Sequence, residues 1–87
     1  MPRVFIPAPW RDLTGGVAQV EVEGTTVREA VDALEARFPG VKARLCRGDA
    51  LAPGLHVSVN DVMTTRGMAA PLKPESELHF LPAIGGG

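Results

Sequence analysis

Thr26-Val27-Arg28-Glu29-Ala30-Val31-Asp32-Ala33-Leu34-Glu35-Ala36-Arg37-Phe38-Pro39-Gly40 is the stretch that decides the fold, because it carries the one long helical pattern in the chain. Val27, Ala30, Val31, Leu34 and Phe38 fall at i, i+3, i+4, i+7 and i+11, one apolar stripe of an α-helix. Thr26 and Glu29 have the spacing of a capping box, in which a hydroxyl and a carboxylate satisfy amide donors of the first turn. Pro39-Gly40 then stops the helix. Phosphate binding at the helix start is disfavoured, since Thr26 already uses the amides an anion would need.

Outward from the helix the period changes to two. Arg3 to Ile6 is a short apolar segment closed by Pro7 and Pro9, while Ala18, Val20 and Val22 alternate with Gln19, Glu21 and Glu23. These predict two strands paired antiparallel. Between them Gly15-Gly16 can take the positive φ values of a tight turn, after a wider loop from Pro7 to Thr14. Downstream, Val41 to Leu45 predicts a short helical turn and Arg47 to Gly54 a loop. Strand structure resumes at Leu55, with Val57 and Val59 on one face, His56, Ser58 and Asn60 on the other, and Asn60-Asp61 as the turn. A poorly patterned stretch follows. Pro71 to Ser76 has turn chemistry, and Leu78 and Phe80 alternate with His79 and Leu81 in the last strand.

The order strand, strand, helix, strand, strand, with one main helix for one sheet face, is an α+β domain. A mixed four- to five-stranded sheet crossed by one main helix is the β-grasp, ubiquitin-like arrangement. A ferredoxin-like fold would need a second substantial helix. The expected organisation is a β-grasp domain over residues 1–83 and a flexible glycine tail over 84–87, with no internal repeat.

A chain of 87 residues buries roughly 60% of its unfolded surface or a little more, which amounts to one modest core. Such a core leaves little room for an enclosed active site, so chemistry belongs on an edge, a loop or a terminus and is completed by a partner. The formal charge of -1 offers no broad attraction for phosphate backbones, and nucleic acid is not an expected partner. No apolar run approaches the roughly 18 residues of a membrane span, and Met1-Pro2-Arg3-Val4 opens no signal-peptide pattern; a cytoplasmic location away from membranes is expected. Cys46, the only cysteine, excludes an internal disulfide and a multi-cysteine metal site, and neither a metal nor a bound cofactor is expected. It reads as a half-buried filler, with a thiolate favoured by Arg44 and Arg47 as the alternative. His56 and His79 occupy polar-facing strand positions without a Ser or Cys partner at readable spacing. Glu21, Glu23, Glu29, Asp32 and Glu35 read as solvated faces.

The closing run Phe80-Leu81-Pro82-Ala83-Ile84-Gly85-Gly86-Gly87 carries the chemistry. Terminal glycines alone are compatible with simple fraying. Here a strand and a proline lead the chain off the sheet before the side chains cease, which suits a tail that threads a narrow channel. An α-carboxylate, with a pKa of roughly 3.3–3.7, is ionised at neutral pH and resists nucleophiles until it acquires a leaving group. Adenylation by ATP supplies one, and sulfur can then displace AMP to leave a thiocarboxylate at Gly87. Such a protein is a carrier or co-substrate, not an enzyme, and the ATP is used by the activating partner. Phe5, His79 and Leu81, with Ile84 and Gly85, are the expected partner-binding residues, on the sheet face away from the helix.

Pro74 to Gly87, through Glu75-Ser76-Glu77-Leu78-His79-Phe80-Leu81-Pro82, resembles the closing signature of the MoaD/ThiS family: an acidic turn, a final strand, a proline and a terminal Gly-Gly. Ile6-Pro7, Leu13-Thr14-Gly15-Gly16, Leu34-Glu35, Phe38-Pro39-Gly40 and Val59-Asn60 also look like family members, so the resemblance spans nearly the whole chain. It implies a β-grasp fold and carries over Gly86 and Gly87 as the family's diglycine, with Gly87 adenylated and thiocarboxylated. Ile6-Pro7-Ala8-Pro9-Trp10-Arg11 and Leu13-Thr14-Gly15-Gly16 look more like the CysO-type carriers of cysteine biosynthesis than the small subunit of molybdopterin synthase. The partners implied are a ubiquitin-activating-type adenylyltransferase, followed by a cysteine synthase acting on an activated serine or by the molybdopterin synthase large subunit. A ubiquitin-like protein modifier joined through Gly87 and a non-catalytic binding module are the alternatives of other classes.

Overall fold

A computed structural model describes residues 1–64 and 66–82. The helix α1, Val27–Arg37, forms where its pattern places it and buries Val27, Ala30, Val31 and Leu34. Thr26 is its N-cap, accepting a hydrogen bond from the Glu29 amide at 3.2 Å. The reciprocal arm reaches one residue further back: Glu29 Oε1 accepts from the Thr25 amide at 2.7 Å and the Thr25 hydroxyl at 3.0 Å.

Gly40, at φ 105°, turns the chain into the short helix α2, Val41–Leu45. Glu35 departs from its expected place on a solvated face. Its carboxylate accepts from the Gly40 amide at 3.1 Å and the Lys42 amide at 2.8 Å, capping the donors that α2 leaves unsatisfied.

The strands are β1 Arg3–Phe5, β2 Gln19–Glu21, β3 Cys46–Arg47, β4 Ala50–Leu51, β5 Leu55–Val59, β6 Val62–Met63 and β7 Glu77–Pro82. Five of them form a mixed sheet in the order β2-β1-β7-β5-β6, in which β1 and β7 are parallel and the other neighbours antiparallel. One sheet with one main helix across it is the β-grasp arrangement. Asn60 and Asp61, at φ 53° and 69°, make the tight turn from β5 to β6.

The expected loop from Arg47 to Gly54 is corrected by the β3–β4 ribbon, whose strands pair Cys46 with Leu51 and Arg47 with Ala50. Strands of two residues are too short to display alternation.

The core lies between α1 and the sheet: Val4, Ile6, Val20, Val22, Val57, Leu78 and Phe80 meet the helix stripe. The poorly patterned stretch closes one side. The Val27 amide donates to the Ala70 carbonyl at 3.0 Å and the Leu72 amide to the Thr25 carbonyl at 2.8 Å, which brings Met68, Ala70 and Leu72 into the core.

Candidate functional site

Successive residues of a strand point to opposite faces, so β7 sends Leu78 and Phe80 into the core and presents Glu77, His79 and Leu81 on the face the helix leaves open. The register sets Phe5 beside His79, His79 beside Ser58, and Leu81 beside His56. Phe5, His79 and Leu81 are thereby brought together. The Phe5 and His79 rings stack with centroids 4.2 Å apart, and Leu81 is 43% exposed.

Ser58 is a cross-strand neighbour of His79 that spacing along the chain gives no hint of. No hydrogen bond joins the two among the described residues, and His79 Nδ1 is buried without a partner there. A nucleophile needs a base within hydrogen-bond reach and a third group to orient that base, and this pair has neither.

At the Leu81 end of this face, Phe5, Pro7, Arg11, His79 and Leu81 border a groove of about 350 Å³. Arg11 is the functional candidate the sequence reading missed. Pro7 and Pro9 force a 3-10 turn over Ala8–Trp10, which folds Arg11 back so that its Nε donates to the Ile6 carbonyl at 3.1 Å. The proline pair was the available signal. The opposite end of the face is polar, with Arg3 and Glu77 paired at 3.7 Å and Glu21 beside Arg3 in register.

Ile84, Gly85, Gly86 and Gly87 lie outside the described residues; β7 borders the groove at Leu81 and ends at Pro82. Cys46 is buried in the core rather than half-buried, with Sγ 4.0 Å from Met68 Sδ. Burial pushes its thiol above the ordinary 9.0, which outweighs the opposing charge of Lys42 and runs against a reactive thiolate. Among the described residues no group of three or more His, Cys, Asp or Glu side chains is placed to hold a metal ion, and no helix is long and apolar enough to cross a membrane.

The family model described as the ThiS family matches residues 4–87. Sulfur carrier protein CysO of Mycobacterium tuberculosis is 35% identical over 91 residues, covering 97% of this chain and 96% of the relative. Among solved structures, CysO in the Amycolatopsis orientalis BexX/CysO complex is 39% identical at a TM-score of 0.91, with 100% of both chains covered. The crystal structure of Mycobacterium tuberculosis CysO is 28% identical at a TM-score of 0.88, covering 97% of this chain and 100% of that one. A match over nearly all residues, on a β-grasp fold whose last strand runs beside an open apolar face, has one reading: the chain belongs to the ThiS family.

Proposed function

We propose that this protein is a sulfur carrier in which the Gly87 carboxylate is adenylated by a partner enzyme and converted to a thiocarboxylate, with cysteine biosynthesis as the destination of the sulfur. The carboxylate attacks the α-phosphorus of ATP and pyrophosphate leaves. Sulfide then attacks the acyl carbon, the bond to AMP breaks, and the sulfur stays on the chain. The thiocarboxylate is a soft nucleophile for an activated serine carbon on a cysteine synthase.

The observation that carries this reading is the route of β7, which runs from the core at Phe80 to the rim of an open apolar face at Leu81. That geometry suits a body that docks while its end enters another protein's active site. The two CysO relatives support it: one is described as a sulfur carrier, and the other was solved in complex with BexX. A ubiquitin-activating-type adenylyltransferase is the partner that fits the first step.

Incubation with ATP, sulfide and the cognate activating enzyme should add roughly 16 Da to the intact mass, the change from oxygen to sulfur at one carboxylate. An unchanged mass would remove the carrier reading. Adducts with lysines of other proteins, without the mass gain, would favour the modifier alternative.

A further inference from the structure

We infer that Arg11 is a docking determinant, pairing with a carboxylate on the rim of the activating enzyme's tail channel while the groove beside it takes a neighbouring apolar side chain of that enzyme. The inference rests on the carrier reading and adds the chemistry of the partner's surface.

Reach comes first. Five residues follow Pro82 in the sequence, and even a fully extended chain of that length spans at most about 18 Å. An enzyme that acts on the Gly87 carboxylate must therefore bring its channel mouth against the end of β7, where the groove lies. A groove of about 350 Å³ bordered by Phe5, Pro7 and Leu81 has room for an apolar side chain.

Charge comes second. On the open face the Arg3 guanidinium is already paired with Glu77 at 3.7 Å, at the far end from the groove. Arg11 is held only through Nε, by the Ile6 carbonyl at 3.1 Å, and its two terminal nitrogens make no hydrogen bond or ion pair among the described residues. The bond to Ile6 restricts the side chain before any partner arrives, which lowers the ordering cost of a complex. A guanidinium so presented offers parallel donors to a carboxylate, a geometry an ammonium cannot copy.

The test is binding of the full chain to its cognate activating enzyme, with intact mass as the readout of thiocarboxylation. Arg11→Glu should raise Kd by about tenfold or more and flatten its dependence on ionic strength, because a rim charge acts through steering and pairing. Arg11→Gln should give a smaller loss, and Arg11→Lys should recover part of it. At limiting enzyme, thiocarboxylation of the variants should fall in step with the loss of binding, in the order Glu, Gln, Lys. A thermal melt accompanies each variant, and should Arg11→Glu lose its fold, the Gln and Lys variants across a salt series decide. Overturning results are these: a parent that is thiocarboxylated while the folded variants bind within about twofold of it at the same salt dependence removes the Arg11 inference alone, and a parent that gains no sulfur removes the carrier reading with it.

Discussion

Phe5 of β1 and His79 of β7 stack across the two parallel strands, with ring centroids 4.2 Å apart and planes inclined by 10°, while His79 Nδ1 is buried without a hydrogen-bond partner among the described residues. A stacked pair adds about 0.5–1.5 kcal/mol beyond its area. An unsatisfied buried polar atom costs about 1–3 kcal/mol. The two effects can be separated by substitution. His79→Phe keeps the stack and removes the orphan nitrogen, so it should leave stability unchanged or raise it by about 1 kcal/mol. His79→Ala removes the orphan nitrogen and the stack together, so it should be less stable than His79→Phe by the worth of the stack and the ring's buried area. Urea melts of both variants are the check, and a clear loss with His79→Phe would mean that Nδ1 has a partner, such as an ordered water.

What was legible in the sequence follows from how many independent signals agreed at each place. α1 had a cap at Thr26, a stripe from Val27 to Phe38 and a stop at Pro39-Gly40, and it forms with those bounds. Strand faces were legible where alternation ran for four residues or more, as from Ala18 to Glu23 and from Leu78 to Leu81, whereas Phe5, in the unalternating run Arg3 to Ile6, was placed with His79 and Leu81 because one helix covers only one sheet face. The β3–β4 ribbon was not legible, because two-residue strands carry no period. Glu35 looked like a solvated helix residue because the amides it caps, at Gly40 and Lys42, become neighbours only after the Gly40 turn. Arg11 was hidden for a similar reason: its place depends on a 3-10 turn that two prolines impose, not on any pattern in which Arg11 itself takes part.

Gly24 is a position where a methyl group has nowhere to go. A Cβ there would lie 2.9 Å from the Ala30 nitrogen and 3.1 Å from the Glu29 carbonyl carbon, both backbone atoms of α1. Gly24→Ala must push the first turn of the helix away from its seat, at about 1–3 kcal/mol, the usual cost of overpacking. Gly48 is the control. At φ 61° it meets nothing within 4 Å, so Gly48→Ala should cost only the left-handed backbone penalty of about 1–2 kcal/mol. Melts should show the Gly24 variant losing helix packing, read as a change in near-ultraviolet dichroism, while the Gly48 variant keeps the parent spectrum.

The cap of α1 should be visible in pH dependence. Hydrogen bonds from the Thr25 amide and hydroxyl favour the ionised carboxylate of Glu29 and hold its pKa below the ordinary 4.5. A group depressed in the folded state adds stability that is present above its unfolded value and lost as pH falls through the folded one. Glu29→Gln should therefore be less stable than the parent at pH 7, and the gap should close on titration below 4.5. Thr26→Ala removes the other arm of the cap, with an expected cost of about 1 kcal/mol that does not depend on pH. A constant gap for Glu29→Gln across the acid range would show that the carboxylate's charge contributes nothing to the cap.

Gly87 and Gly86 are assigned different tasks by the carrier reading, and their variants should fail differently. Gly87 supplies the carboxylate that is activated. Deleting it withdraws that group by about 3.3–3.6 Å of extended chain, far beyond what a positioned displacement tolerates. Adenylation should be lost, and with it the gain in mass on incubation with ATP and sulfide. Gly86→Val leaves the carboxylate in register but adds a β-branched side chain where a narrow channel must close on main chain. Its expected defect is weaker binding to the activating enzyme, with thiocarboxylation partly restored as enzyme is raised. Among the described residues the buried core runs from Val4 to Phe80, so both variants should melt within about ±0.5 kcal/mol of the parent, the usual range for changes away from packed features. Sulfur transfer that persists in a reconstituted pathway after deletion of Gly87 would overturn the carrier reading in favour of the binding module. Loss of folding in either variant would instead show that the terminal glycines belong to the packed domain.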